Sequence, residues 1–351
     1  MEEQIKLTQY SKGAGCGCKI SPQVLQQMLG EHRSMDKFPA LLIGNRENDD
    51  AAVFQLNPEQ ALISTADFFM PIVDDAFDFG RVAAANSISD VYAMGGKPIM
   101  AIAILGWPIE KLPAALAGRV LDGARMVCEE AGIPLAGGHT VESAEPFFGL
   151  SVNGLIHSKQ IKTNHGAQVG DLIYLTKPIG LGVLSTAQKR NEIQSEHVQA
   201  WMETLIQLNK FGEILGQQSY VTAMTDVTGF GLLGHAHEMA KGSGVTAELD
   251  YTSIPVLNGV KAYIAKRIIP DATYRNWNSY QADVSFEKGV NVMEAFSLLP
   301  DPQTNGGLLF SVSPKDQHLT EALMFEHGLE NMAKPIGRMV AQAEKRIRVM
   351  P

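Results

Sequence analysis

Two thiols and an amine share one short segment, Gly13-Ala-Gly-Cys-Gly-Cys-Lys, which places Cys16, Cys18 and Lys19 among three glycines. A cysteine attacks as its thiolate, and a nearby ammonium lowers the thiol pKa and raises the reactive fraction at neutral pH. Glycine at alternate positions lowers the cost of unusual backbone angles. Such a segment is expected to bring its reactive groups over a bound substrate and then withdraw them. Two plainer readings fit the same residues: an ordinary flexible tail, or half of a metal site. The metal reading runs short of ligands, because Cys128 is the one cysteine left to join the pair and structural zinc takes four.

Acidic residues offer a second kind of chemistry. Asn48-Asp49-Asp50 precedes the apolar run from Ala51 to Phe54, Asp67 closes the run from Leu62 to Ala66, and Asp90 falls inside a helical stretch. Asn86 and Asp90 are four apart and point from one helical face. Carboxylates from separate elements suit hard cations such as magnesium, which takes one or two per ion together with phosphate oxygens. Asp also fills caps and turns readily, and that is the commoner explanation for any single one of these residues. Asp90 is harder to dismiss, because Ile88, Val91 and Tyr92 around it imply partial burial and a buried carboxylate needs partners.

Two glycine motifs have the look of phosphate or nucleotide loops. Ala136-Gly-Gly-His-Thr follows the strand-like Ile133-Pro-Leu, and Thr225-Asp-Val-Thr-Gly-Phe-Gly precedes a helix. In the second, backbone N–H groups at the helix start can receive an anion while Asp226 holds its metal. Taken singly, either motif is also explained by a cap or helix-start glycine. Neither the Gly-x-x-x-x-Gly-Lys-Ser/Thr loop nor Gly-x-Gly-x-x-Gly at a first strand occurs. His139, His235 and His237 read as hydrogen-bonded structural histidines rather than ligands. Spacing alone therefore reaches a magnesium–nucleotide enzyme with a candidate thiol.

The elements that must position these groups alternate between strand and helix. Leu41–Ile43, Ala51–Phe54 and Ala61–Thr65 are short apolar runs, broken by Gly44-Asn45 and Asn57-Pro58. A helix is expected to start at Ser21-Pro22, and another from Gly80 to Met94 closed by Gly95-Gly96. Strands follow at 99–105 and 147–156, with a long helix at 113–131 between them. Polar residues 157–168 are the expected domain boundary. Beyond it come a strand at 172–176, helices at 182–188 and 196–215, a strand ending at Asp226, a helix at 230–241, and strands near Val245 and at 308–312. The expectation is two α+β domains. With 351 residues, 45% apolar and 19% charged, the chain is long enough for both and too apolar for disorder. A net charge of −9 argues against a nucleic-acid groove, though magnesium lets acids hold a polyanion such as ATP. Met1-Glu-Glu-Gln-Ile-Lys does not look like a signal peptide, and 99–109 is too short to span a bilayer. With three cysteines and no disulfide framework, a soluble cytoplasmic protein is expected.

Several of these motifs together resemble the selenophosphate synthetase (selenide, water dikinase) family. They are Gly13-Ala-Gly-Cys-Gly-Cys-Lys, Ser64-Thr-Ala-Asp-Phe-Phe, Asn86-Ser-Ile-Ser-Asp-Val-Tyr-Ala-Met-Gly-Gly-Lys-Pro, Gly137-Gly-His-Thr, Met224-Thr-Asp-Val-Thr-Gly-Phe-Gly-Leu-Leu-Gly-His and Asp301-Pro-Gln-Thr-Asn-Gly-Gly. The resemblance runs from Leu7 to about Val312. The Cys/Lys segment separates it from scaffold relatives such as aminoimidazole ribonucleotide synthetase and thiamine-monophosphate kinase. It implies catalytic roles for Cys16 and Lys19, with Lys19 also touching ATP. It implies magnesium ligation by Asp50, Asp90 and Asp226. Nucleotide contacts are implied for Glu47, Asn48, Asp49, Asp67, Asp90, Gly138, His139 and Thr140. Two departures from the family pattern are Ala66, where Thr is common, and Asn305, where Ser is common; Asn tolerates turn geometry well.

The resemblance also implies an architecture and a reaction. The fold would be the two-domain aminoimidazole ribonucleotide synthetase-like one: residues 1–20 a mobile catalytic loop, 21–157 an ATP-binding domain and 168–351 a C-terminal α/β domain. The N-terminal domain would build a β-barrel across a homodimer. The reaction would convert ATP, hydrogen selenide and water to selenophosphate, AMP and phosphate, with Mg2+ as cofactor. Its partners would be a selenium-delivery protein and downstream selenium-using enzymes, with no membrane or nucleic acid. The runner-up is a scaffold relative acting on another acceptor; a thiol-based selenium or metal carrier would leave Asp50, Asp90 and Asp226 without a role.

Overall fold

A computed structural model describes residues 5–11, 24, 28, 38–44 and 49–351. The first half is built on a six-stranded sheet of β1 (Leu41–Ile43), β2 (Ala52–Gln55), β3 (Gln60–Phe69), β4 (Lys97–Trp107), β5 (Leu135–Glu142) and β6 (Phe147–His157). Its spatial order is β1-β2-β3-β6-β4-β5, antiparallel except for the β4–β5 pair at the edge. Helices α1 (Ala76–Ala93) and α2 (Ala114–Glu130) belong to this half, and α1 packs on β3 and β6.

Helix α1 begins because the Asp75 side chain accepts the Asp78 N–H at 3.0 Å. It ends where Gly95, at φ 80°, turns the chain and donates its N–H to the Tyr92 carbonyl. The helix is almost entirely buried and crosses α2 at backbone distance. A β-carbon on Gly123 would sit 1.9 Å from the Phe77 carbonyl oxygen, and one on Gly80 as near to that of Val120. The opposite face of the sheet is apolar and uncovered: Phe54 is 44% exposed, Phe68 50% and Ile102 40%.

The second half carries a seven-stranded mixed sheet. Its strands are β7 (Leu172–Leu175), β8 (Val221–Asp226), β9 (Thr246–Asp250), β10 (Val284–Phe286), β11 (Leu308–Val312), β12 (Gly337–Val340) and β13 (Ile347–Met350). They lie in the order β10-β13-β9-β12-β7-β11-β8. Helices α3 (Leu181–Lys189), α4 (Ser195–Ile206), α5 (Phe211–Gly216) and α6 (Gly231–Gly242) belong to this half, with α6 on β8 and β9. The last turn of α1 meets α5 directly. A β-carbon on Gly212 would fall 2.2 Å from the Tyr92 carbonyl oxygen, and one on Gly216 equally close to that of Gly95.

Two expectations are corrected here. The single helix expected over 196–215 is two, α4 and α5, separated by Gln207–Lys210. Ala136-Gly-Gly-His-Thr is not a loop but part of β5, because parallel pairing with β4 straightens it. Among the described residues no helix is long and apolar enough to cross a membrane.

Candidate active site

Four carboxylates lie near enough to influence one another where the two halves touch. Asp50 lies just before β2, Asp90 is on α1 and Asp226 is the last residue of β8. Burial pushes the Asp50 carboxyl well above the usual carboxylate range, and the negative charges of Asp226, Asp90 and Asp49 push it further. A hydrogen bond from Thr225 Oγ1 to Asp50 Oδ1, at 2.9 Å, opposes that shift. Asp49 is held beside them, its Oδ1 accepting the Asn164 N–H at 2.9 Å.

Hydroxyl groups fix the other two acids. Thr65 Oγ1 of β3 donates to Asp90 Oδ2 at 2.6 Å, and Ser89 Oγ of α1 donates to Asp226 Oδ2. Asp67, inside β3 rather than at its end, accepts from Asn86 Nδ2 at 2.6 Å. Asn86 Oδ1 in turn accepts the Asn305 N–H at 2.7 Å. Asn305 is itself at φ 50°, a left-handed conformation that Asn adopts more easily than most side chains.

The fit of this group to a divalent cation can be tested on Asp50. Its Oδ2 is buried without a hydrogen-bond partner among the described residues, beside three other acids. A carboxyl so placed takes up a proton, as its raised pKa reflects, or gains a cation as counter-charge. Among the described residues no three His, Cys, Asp or Glu side chains converge into a ready metal cage. Magnesium does not require one, since it takes one or two carboxylates and completes its shell with water and substrate phosphate. The donor set fits a hard cation on those terms.

Not every expected residue joins this group. Gly138, His139 and Thr140 lie on β5, three positions across the sheet from β3, roughly 14 Å at ordinary strand spacing. Gly138 is needed there for close approach, since a β-carbon would sit 2.3 Å from the Ala103 carbonyl oxygen. Cys16, Cys18, Lys19, Glu47 and Asn48 lie outside the described residues. His235 Nε2 accepts the Thr228 N–H at 3.1 Å and His237 Nε2 pairs with Asp283 at 2.8 Å, so both hold the fold.

Sequence reasoning passed over the residues that hold the acids. Thr65, Ser89, Asn209, Thr225 and Lys177 were not singled out. Ser89-Asp90 and Thr225-Asp226 carry the one visible signal, a hydroxyl just before each acid, yet each hydroxyl serves a different acid. Lys177 is 2% exposed and donates to the carbonyls of Gln207 (2.7 Å) and Asn305 (2.9 Å). Burial pulls its ammonium down to about 7, against the pull of Asp226.

Known proteins bear on this arrangement. Residues 48–156 match the N-terminal domain pattern of AIR synthase related proteins, and 168–350 match the C-terminal one. A selenide, water dikinase from Colwellia psychrerythraea is 53% identical over 337 residues, covering 96% of each chain. One from Photorhabdus laumondii is 50% identical over 99% of this chain and 98% of its own. Among solved structures, thiamine-monophosphate kinase from Stenotrophomonas maltophilia superposes with a TM-score of 0.64 at 20% identity, over 91% of this chain and 96% of that one. Hydrogenase maturation protein HypE gives 0.63 at 18%, over 88% and 87%. These two share the fold. A match of both domain patterns, with half the residues identical along nearly the whole length, places the chain in the selenide, water dikinase family of AIR synthase related proteins.

Proposed function

We propose that this chain is a selenophosphate synthetase, transferring a phosphoryl group from ATP to hydrogen selenide. ATP, selenide and water become selenophosphate, AMP and phosphate. The observation that carries phosphoryl transfer is the Asp50 oxygen left without a partner among Asp49, Asp90 and Asp226. The acceptor is supported by 53% identity to a selenide, water dikinase.

Asp50, Asp90 and Asp226 would hold Mg2+, and Asp49 and Asp67 would face the nucleotide. Bound magnesium supplies charge neutralisation on the phosphates and orients them. Thr65, Thr225 and Ser89 keep the carboxylates from turning, so that little reorganisation remains when substrate arrives. Lys19 would add a positive charge to the transferring phosphoryl group. Cys16 would hold or deliver selenium, because selenide is itself the stronger nucleophile toward phosphorus. Glu47, Asn48, Gly138, His139 and Thr140 complete the proposed nucleotide contacts.

The working unit is a cytoplasmic homodimer. Its support is the uncovered apolar face around Phe54, Phe68 and Ile102, a surface that a second copy would close into a barrel. A selenium-delivery protein upstream and selenium-using enzymes downstream complete the proposed partners.

Phosphorus NMR of ATP and selenide incubated with the full chain tests the reading. Selenophosphate, AMP and phosphate should appear together. ADP without a selenium–phosphorus product would assign the chain to the alternative, a scaffold kinase with another acceptor.

A further inference from the structure

Asp226 is held from the other side of the interface by a chain of two hydrogen bonds with a defined direction. Asn209, 3% exposed, sits in the break between α4 and α5. Its carboxamide nitrogen has two protons, and both are committed: one to Ser89 Oγ at 2.8 Å, the other to the Gly306 carbonyl at 2.9 Å. Ser89 has one proton. Accepting from Asn209 leaves that proton for Asp226 Oδ2, the bond the structure contains. Ser89, Asn209 and Asp226 are all buried, so water cannot readily stand in for a lost partner.

We propose that Asn209 and Ser89 are positioning residues for Asp226, a relay that sets the orientation of its carboxylate toward Asp50 and Asp90. Asn209 acts through Ser89: the amide selects the hydroxyl rotamer, and the hydroxyl selects the carboxylate rotamer. The relay crosses from the second half to α1 and back. It therefore also ties Asp226 to the helix that carries Asp90. This inference rests on the reading of these acids as magnesium ligands.

The test uses the full chain with Mn2+ and a non-hydrolysable ATP analogue, reading bound metal by water-proton relaxation. Ser89→Ala and Asn209→Ala should each weaken Mn2+ binding about tenfold to a hundredfold, the usual scale for partners behind a metal ligand. The double variant should lose little more than Ser89→Ala alone, because both changes break one path. A merely structural pair would lower the melting temperature of the variants and leave Mn2+ affinity of the folded protein unchanged. Lys210→Ala, in the same break but donating to the Glu130 carbonyl, should bind Mn2+ like the parent. Asn209→Asp keeps the volume and removes both N–H donors should the alanine variant fail to fold. Its added negative charge would by itself favour the cation, so weaker binding there is further support. Normal Mn2+ affinity in folded Ser89→Ala, or full additivity in the double variant, overturns the relay. Asp50→Asn in the same titration separates the two levels. If it too binds Mn2+ normally, the magnesium reading fails and the relay falls with it.

Discussion

Thr225→Val probes the electrostatics of the acid group with almost no change in shape. In the parent, Thr225 Oγ1 donates to Asp50 Oδ1 at 2.9 Å, while Asp50 Oδ2 has no partner among the described residues. Valine fills the same volume and removes the donor, leaving the ionised carboxylate with neither oxygen satisfied. A hydrogen bond to a charged group contributes about 1.5–3 kcal/mol, and one pKa unit corresponds to about 1.4 kcal/mol. The Asp50 pKa, already raised by burial and its acidic neighbours, should therefore rise further. A cation must displace the proton to use this carboxylate. Below the raised pKa, magnesium binding in the variant should be weaker by about tenfold to a hundredfold. The deficit should shrink as pH rises, until both proteins hold Asp50 ionised. Calorimetric titration of Mg2+ with an ATP analogue, repeated across a pH series, reads both effects. An equal deficit at every pH would show that Thr225 acts through geometry and not through the charge of Asp50. No deficit at any pH would remove Asp50 from the ligand set.

Three further outcomes follow from the same interactions. In the metal-free protein the folded Asp50 pKa lies above its unfolded value, so its contribution is present at acid pH and lost as pH rises through the folded pKa. Asp50→Asn should remove that loss: thermal melting at neutral pH should occur higher than in the parent, while Mg2+ with nucleotide no longer raises it. Gly123→Ala must push α1 and α2 apart, because its β-carbon would lie 1.9 Å from the Phe77 carbonyl. Overpacking of about 1–3 kcal/mol outweighs the helix-propensity gain of about 1 kcal/mol, so the melting temperature should fall by a few degrees; an unchanged or higher value would contradict the crossing. Cys16→Ser should abolish selenide-dependent AMP formation and Cys18→Ser should leave much of it; equal silence of both would end the thiol role.

Local pattern carried the sequence reading a long way through the first half. Ala83–Ala85 and Gly95-Gly96 mark α1 and its end by local signals, whereas its start at Ala76, behind the Asp75 cap, lies four residues before the expected Gly80. The break at Gln207–Lys210 has no such mark, since neither Gly nor Pro occurs there. Its cause is distant: the Gln207 carbonyl is taken by Lys177 Nζ and Asn305 Nδ2, and Asn209 turns toward Ser89. Gly137-Gly138 looked like part of a phosphate or nucleotide loop, and only pairing with β4 reveals them as strand. The acids could be named from their neighbours. Their supporting hydroxyls and amides could not, because Thr225 and Asp50 lie 175 residues apart and Asn209 and Ser89 lie 120 apart.

The contact of α1 with Gly212 and Gly216 also governs when the enzyme can first exist. During synthesis, the chain through β6 already holds Asp49, Asp50, Asp67 and Asp90, a nearly complete set of acids. Asp226, Asn209 and the 301–307 segment emerge later, and α1 cannot be fastened until α5 arrives to meet its last turn. A partly made chain on the ribosome therefore holds acids that repel one another and lacks Asp226, which β8 supplies. Assembly of the full acid group is thereby timed by completion of the chain itself.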